Sequence, residues 1–352
     1  MYIAMNFYDK EVDSPKRIFS LDVLRALAIL LVLVCHLISR VWGRENLTAY
    51  YFGTLGVEIF FVLSGFLIGR IIIKSFNEEE KFKIKDVKKF WVRRWFRTLP
   101  NYYLVLIVSI IIYSLYYNTF ILKDLNNLKY FAFIQNLTNP PGSFFSVSWS
   151  LAVEEWFYIT FPLVLLAISR FIKDKYKTII YAISIFILSI ILLKLFVAIL
   201  SPSSDFSLFQ YTMPLRLDSI GFGILMAIMY NYKNEFWNKN KLRLFVCGSL
   251  LFISTSLYYY LVILTKNEGI LSRIFFFDIL SLSIALLFPF IYYLKRFKNE
   301  IISRFITHIS LTSYSTYLIH LLVILIIVKL PLRIINKVII STDADVDGMH
   351  IR

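Results

Sequence analysis

LDVLRALAILLVLVCHLIS, residues 21–39, decides the fold. It is apolar over the roughly 20 residues that a bilayer core demands of a helix, yet it carries Asp22, Arg25 and His36. Arg25 and His36 are eleven residues apart. At about 3.6 residues per turn this is nearly three whole turns, so both side chains share one helix face roughly 16 Å apart. Asp22 lies near the same face. A charge facing lipid costs several kcal/mol, so such groups turn to a bundle interior or a wet cavity. The rest of the chain is expected to supply that interior.

The 352 residues are 58% hydrophobic and only 17% charged, with a mean hydropathy of +0.68. A soluble domain of this size needs far more polar surface. The composition predicts an all-α, polytopic bundle of nine or ten transmembrane helices. The net charge of +15 would raise nucleic acid as a partner in a soluble chain. Here the cations cluster between apolar runs, as the positive-inside rule demands, and nucleic acid is discounted. Cys35 and Cys247 both lie in apolar runs, so no disulfide framework is indicated. Neighbouring helix residues do not face each other, which argues against a Cys35–His36 nucleophile. The first run carries a polar stripe and lacks a small-residue cleavage site, so it is expected to stay in the chain.

Spans are expected at 21–39, 52–73, 99–118, 149–168, 178–200, 213–230, 244–264, 274–294 and 306–328, with every other loop basic. Residues 1–18 form a cytoplasmic tail with Lys10, Lys16 and Arg17. The most basic loop, 74–97, ends in FWVRRWFRTLPNYY (90–103), an amphipathic stretch expected to lie at the interface before Pro100 opens the next helix. The outer segment 119–148 contains NLTNPPGSFFSVS (136–148) and no run of lipid length, so it is read as a loop or re-entrant piece.

The ionisable residues expected inside the membrane are Arg25, His36, Glu58, Glu154, Arg216, Asp218 and His320. Each alone is more often a structural hydrogen-bonding group, but seven in one bundle point to a charged transport pathway or an intramembrane enzyme. His36 is the best general base, because its ordinary pKa of about 6.5 lets it take a proton near neutrality. Arg25 stays charged and offers a planar fork to phosphate or carboxylate. Arg94 and Arg97, three apart on one face, add two more forks, although all three arginines could simply anchor the interface. Together they suit transfer of an acyl group from a phosphate-bearing carrier on the inside.

The Arg25–x10–His36 helix, GVEIFFVLSGFLI (56–68), RRWFRTLP (93–100), WSLAVEEWFY (149–158) followed by Pro162, MPLRLDSIGFG (213–223) and SYSTYLIH (313–320) resemble the acyltransferase-3 family of membrane acyltransferases. The family includes O-antigen, exopolysaccharide and Nod-factor O-acetyltransferases. The resemblance covers about residues 19–328, and six motifs in the family's order make it specific. It implies acyl-CoA, usually acetyl-CoA, as co-substrate from the cytoplasm, with no metal. It implies a sugar hydroxyl on a cell-envelope glycan, free or lipid-linked, as acceptor, lipopolysaccharide among the candidates. It further implies that His36, Arg25 and Glu154 are catalytic and that Arg94, Arg97 and Arg25 bind the CoA. His36 either deprotonates the acceptor or carries the acyl group itself. The expected location is the bacterial inner (plasma) membrane, in contact with its lipids. A stand-alone form of the family is expected, because no hydrolase-like domain is appended. The rival reading is a transporter or flippase of a lipid-linked sugar, which would tend to show repeats and broken helix pairs; neither is seen.

Three segments follow: the tail 1–18, a membrane domain 19–330, and an atypical stretch 331–352. In that last stretch VIISTDADVDGMHIR (338–352) resembles the acidic motif of the Toprim domain of type II topoisomerase B subunits, with Asp343, Asp345 and Asp347 in the acidic positions. A dozen residues cannot supply that fold. They are read as a fusion or truncation artefact standing where the family has a tenth helix, with weak Mg²⁺ binding as the bland alternative.

Overall fold

The structure, a computed structural model, describes residues 17–41, 47–78, 82–265 and 268–329. The expectations placed on Lys10, Lys16 and all of 331–352 lie outside the described residues. Within them the chain is all-α, and no strand occurs. Hydrocarbon offers the backbone no hydrogen-bond partner, so apolar runs of this length close their bonds internally as helices. They form α1 (Phe19–Val41), α2 (Leu47–Glu78), α3 (Ile84–Tyr117), α4 (Trp149–Ser169) and α5 (Lys175–Leu200). A short α6 (Phe206–Tyr211) leads to α7 (Leu217–Tyr232), α8 (Asn234–Thr265), α9 (Ile270–Ile291) and α10 (Glu300–Ile324). Nine of these, all but α6, are long and apolar enough to cross a membrane.

Pro100 does not open a helix. It lies inside α3, which runs without interruption from the basic stretch into the bundle. Proline removes one N–H from the ladder and normally kinks a helix. Neighbours hold α3 around that point. Trp91 Nε1 donates to the Tyr158 carbonyl at 2.8 Å, Tyr314 Oη to the Thr98 carbonyl at 2.9 Å, and Asn101 Nδ2 to Ser315 Oγ at 2.9 Å. RRWFR is therefore the first half of a spanning helix clamped to α4 and α10, not a separate surface segment.

α2 is the axis of the bundle, packed most extensively on α7 and α1, while α10 closes the far side of α1. The contact with α7 rests on small residues. A Cβ at Gly65 would stand 1.9 Å from the Ile220 carbonyl oxygen, and one at Gly223 would stand 2.0 Å from that of Val62. Only bare backbones can approach this closely, and small residues are what allow helices to pack in lipid, where the hydrophobic effect gives no drive between them.

The segment 119–148 contains short 3₁₀ turns and folds over one end of the bundle. Tyr102 Oη donates to the Tyr130 carbonyl at 2.8 Å, and the Tyr102 ring lies 4.2 Å from that of Phe133. Asn136 ties this cap to α4 and α6, donating to the Trp149 and Tyr211 carbonyls at 3.2 and 2.7 Å. Tyr211 Oη in turn donates to Tyr50 Oη at 2.6 Å. Burial pushes the Tyr211 phenol well up, so it stays a neutral donor.

Candidate active site

The seven ionisable residues separate into two groups. The first is fully enclosed. Glu58 of α2 is paired with Arg216 at the start of α7, and its other oxygen accepts from Ser281 Oγ of α9 at 2.6 Å. The Arg216 guanidinium lies 4.0 Å over the Phe277 ring. Next to them, Lys194 Nζ of α5 stands 2.6 Å from both Asp218 Oδ2 of α7 and Asp278 Oδ1 of α9. Glu58, Arg216, Asp218 and Lys194 are at most 1% exposed and Asp278 5%. Charges this deep are tolerated only when paired. The group ties α2, α5, α7 and α9 together, and this enclosure gives a substrate no access to it. Lys194 and Asp278 were not among the expected members; each looked isolated in sequence because its partners lie on other helices.

The second group lies between α1, α2, α3, α4 and α10. At the Phe19 end of α1, Arg17 grips Asp22 with two bonds of 2.5 and 2.7 Å. Asp22 also accepts from Ser310 Oγ of α10 at 2.7 Å, and Arg25 Nη1 reaches the same Ser310 Oγ at 3.3 Å. Asp22 thus orients the start of α1 and offsets Arg25, which stays half-buried. Arg25 is within electrostatic range of Arg97 and Glu154. Arg94 faces Arg97, Glu154 and Glu155 in the same way, and its guanidinium lies 5.7 Å over the Tyr158 ring. Glu154 is held from two sides, accepting from Ser64 Oγ at 2.8 Å and from Tyr158 Oη at 2.9 Å. Glu155 accepts from Thr98 Oγ1 at 2.8 Å. Arg25, Arg94, Arg97 and Glu154, four of the five residues expected to form the site, therefore share one neighbourhood. Three guanidinium forks against two carboxylates leave a positive balance suited to phosphate oxygens.

His36, the fifth, is three turns further along α1. It is not alone there: its ring centroid lies 5.0 Å from that of His320 in α10. His320 is buried, and its Nδ1 bonds the Tyr317 carbonyl at 2.7 Å. Tyr317 Oη in turn bonds Ser150 Oγ at 2.7 Å and the Val147 carbonyl at 3.1 Å, so the cap over 119–148 and the start of α4 brace this end. The α10 side of the site is a polar stripe, Ser310, Ser313, Tyr317 and His320, at spacings of three or four, all buried. That stripe was readable as one helix face; its partner, His36, was not. Among the described residues no cluster of His, Cys, Asp or Glu is built to hold a metal ion.

The chain matches the acyltransferase domain family over residues 18–336. A Staphylococcus aureus (strain COL) protein provisionally named O-acetyltransferase is 30% identical over 329 residues, covering 86% of this chain and 50% of that protein. The peptidoglycan O-acetyltransferase OatA of Listeria monocytogenes is 34% identical over 174 residues, 46% of this chain and 26% of its own length. O-acetyltransferase OatA of S. aureus (strain NCTC 8325 / PS 47) is 28% identical over 233 residues, 63% and 36% of the two chains. The chain spans about half the length, or less, of these curated relatives. No solved structure matches it.

Proposed function

The chain belongs to the acyltransferase-3 family of multi-pass membrane acyltransferases, and from that premise we propose that it moves an acetyl group from acetyl-CoA to a hydroxyl of a cell-envelope glycan. The observation that carries this reading is the meeting of Arg25, Arg94, Arg97 and Glu154 in one neighbourhood, with His36 on the same helix as Arg25. The basic loops favour a cytoplasmic N-terminus, which on this reading puts the arginine end on the inner side of the bacterial plasma membrane. CoA phosphates arrive there. Arg94, Arg97 and Arg25 bind them as forks, and Glu154 keeps those forks aligned. The acyl arm then runs along α1 toward His36. His36 takes the proton of the acceptor hydroxyl as its oxygen attacks the thioester carbonyl, which is the base reading of the two open to this residue.

The membrane domain 19–330 would carry the whole of this chemistry, and 1–18 and 331–352 none of it. A glycan of the peptidoglycan kind is the acceptor favoured here, because a relative is named for it; lipopolysaccharide and exopolysaccharide are the alternatives. The test is to reconstitute the chain in vesicles with radiolabelled acetyl-CoA on one side and envelope glycan on the other. Label in glycan O-acetyl esters is the expected result. Movement of a lipid-linked sugar across the vesicle with no label transferred would replace this reading by a flippase.

A further inference from the structure

His320 lies 284 residues from His36 in the chain, and no role has yet been assigned to it beyond proximity. Its Nδ1 faces the Tyr317 carbonyl at 2.7 Å. A carbonyl oxygen only accepts, so Nδ1 carries the hydrogen and Nε2 carries a lone pair. That Nε2 is buried and has no hydrogen-bond partner among the described residues. A buried acceptor left unmade is costly, which makes it a place where a donor belongs. The donor to hand is the His36 ring. A centroid separation of 5.0 Å is close to two imidazole radii plus one hydrogen bond of about 2.9 Å. The planes are tilted by 42°, and the second torsion of histidine, which sets the ring plane, is soft. Catalytic hydrogen bonds of this kind are often loose without substrate and tighten when it binds.

We propose that His320 is the positioning residue of His36: its Nε2 accepts the N–H of the His36 ring, fixes that ring in one tautomer, and leaves the opposite nitrogen basic toward the acceptor hydroxyl. The inference rests on the general-base reading above. In the step it serves, the acceptor O–H bond breaks and its proton goes to the His36 ring nitrogen opposite the one that faces His320. The oxygen bonds the thioester carbonyl carbon, the C–S bond breaks, and the departing thiolate takes the proton back from His36. Throughout, the His36 ring keeps its bond to His320, which steadies the cation while it exists. This is the orienting part that a carboxylate or carbonyl plays for many catalytic histidines, here supplied by a second imidazole whose own tautomer is set by a helix carbonyl.

The experiment uses the full chain with His320→Ala and His320→Gln, the glutamine placing an acceptor oxygen near the Nε2 position. His320→Ala is expected to lower kcat for acetyl transfer by 10- to 100-fold with the KM for acetyl-CoA unchanged within about twofold, and His320→Gln to recover much of that loss. Wild-type kcat per folded molecule in both variants, or a change in KM alone, overturns the proposal. A second readout needs no activity: nitrogen–proton correlation spectra of histidine-labelled protein report each ring's tautomer. His36 is expected in one tautomer in the wild type and in a mixture in His320→Ala. A mixture in the wild type overturns the pairing. A wild-type chain that holds His36 in one tautomer but acetylates nothing overturns the functional reading alone.

Discussion

Gly65 of α2 and Gly223 of α7 meet backbone to backbone, each filling the space a methyl group on the other helix would need. A few residues further along, Gly69 does the same against Ala227, where an added Cβ would stand 2.6 Å from the alanine methyl. This crossing places Ser64 beside Glu154 and Glu58 beside Arg216, so both polar groups depend on it. Gly65→Leu or Gly223→Leu must push the helices apart. The expected outcome is loss of folded protein from the membrane, read as the monodisperse yield in detergent, while Gly142→Leu, in open space, is neutral. Normal yield for Gly65→Leu would show that the crossing tolerates expansion.

The enclosed charges give a second prediction. Lys194→Met leaves Asp218 and Asp278 side by side without their cation. Removing one partner of a buried ionic group costs about 3–5 kcal/mol. Thermal unfolding in detergent is expected to fall sharply. The triple change Lys194→Met, Asp218→Asn, Asp278→Asn should recover a large part of the loss, since no net charge is then stranded. A triple variant as unstable as the single one would mean that the geometry of the bonds matters more than the charge.

The arginines differ in what they touch, so their variants should differ too. Arg97 is exposed, whereas Arg94 is half-buried against Phe90, Tyr158 and two glutamates. Arg97→Ala is expected to raise the KM for acetyl-CoA about 10- to 100-fold, the weight of a hydrogen bond to a charged group, with melting unchanged. Arg94→Ala should raise the same KM and lower the melting temperature as well. Steady-state kinetics with donor and acceptor varied separately decide this; equal effects on both substrates would leave the arginines a purely structural part.

The membrane spans were legible because one signal, apolar length, fixes them, and α4 began where its sequence predicts. The boundary at Pro100 was not, because what carries α3 through the proline comes from Trp91, Tyr314 and Asn101 reaching to other helices. The candidate site divides in the same way. Arg25 and His36 on one face follow from helical periodicity. Three-dimensional partnership does not. Nothing near position 58 announces Arg216, and nothing near position 194 announces Asp218 or Asp278. Glu58, Arg216 and Asp218 looked the same in sequence as Glu154, since an intramembrane charge reads alike whether it faces a cavity or a counter-charge.

Glu154 and its neighbour Glu155 supply the next test. Glu154 accepts from Ser64 and Tyr158 and offsets Arg94 and Arg97. Glu154→Gln keeps an acceptor for Ser64 but removes the charge. The three guanidinium groups then present a stronger positive field to phosphate, and the KM for acetyl-CoA is expected to fall by a few-fold. If Glu154 also aligns the forks for the reaction, kcat falls at least 10-fold alongside. A lower KM with unchanged kcat would make Glu154 a charge balance only.

His36 carries the heaviest prediction. It sits on α1 at the end braced by the cap, roughly 16 Å from Arg25 along the helix, with the His320 ring 5.0 Å away. The chain has four histidines. His308 lies near the opposite end of α10 from His320, eight residues past Glu300, so it is not placed to replace His36. Loss of a positioned general base typically costs 10²- to 10⁴-fold. His36→Ala is therefore expected to reduce glycan acetylation by that factor at equal membrane levels and equal melting temperature. His36 is half-exposed within the bundle and not a core side chain, so its removal should leave the fold intact. The KM for acetyl-CoA should hardly move if, as proposed, the phosphates are held by arginines about three turns away. Imidazole added to the His36→Ala protein offers the missing base back, and partial recovery of transfer is expected at high imidazole concentration. Acetylation near the wild-type level in His36→Ala would remove His36 from the reaction.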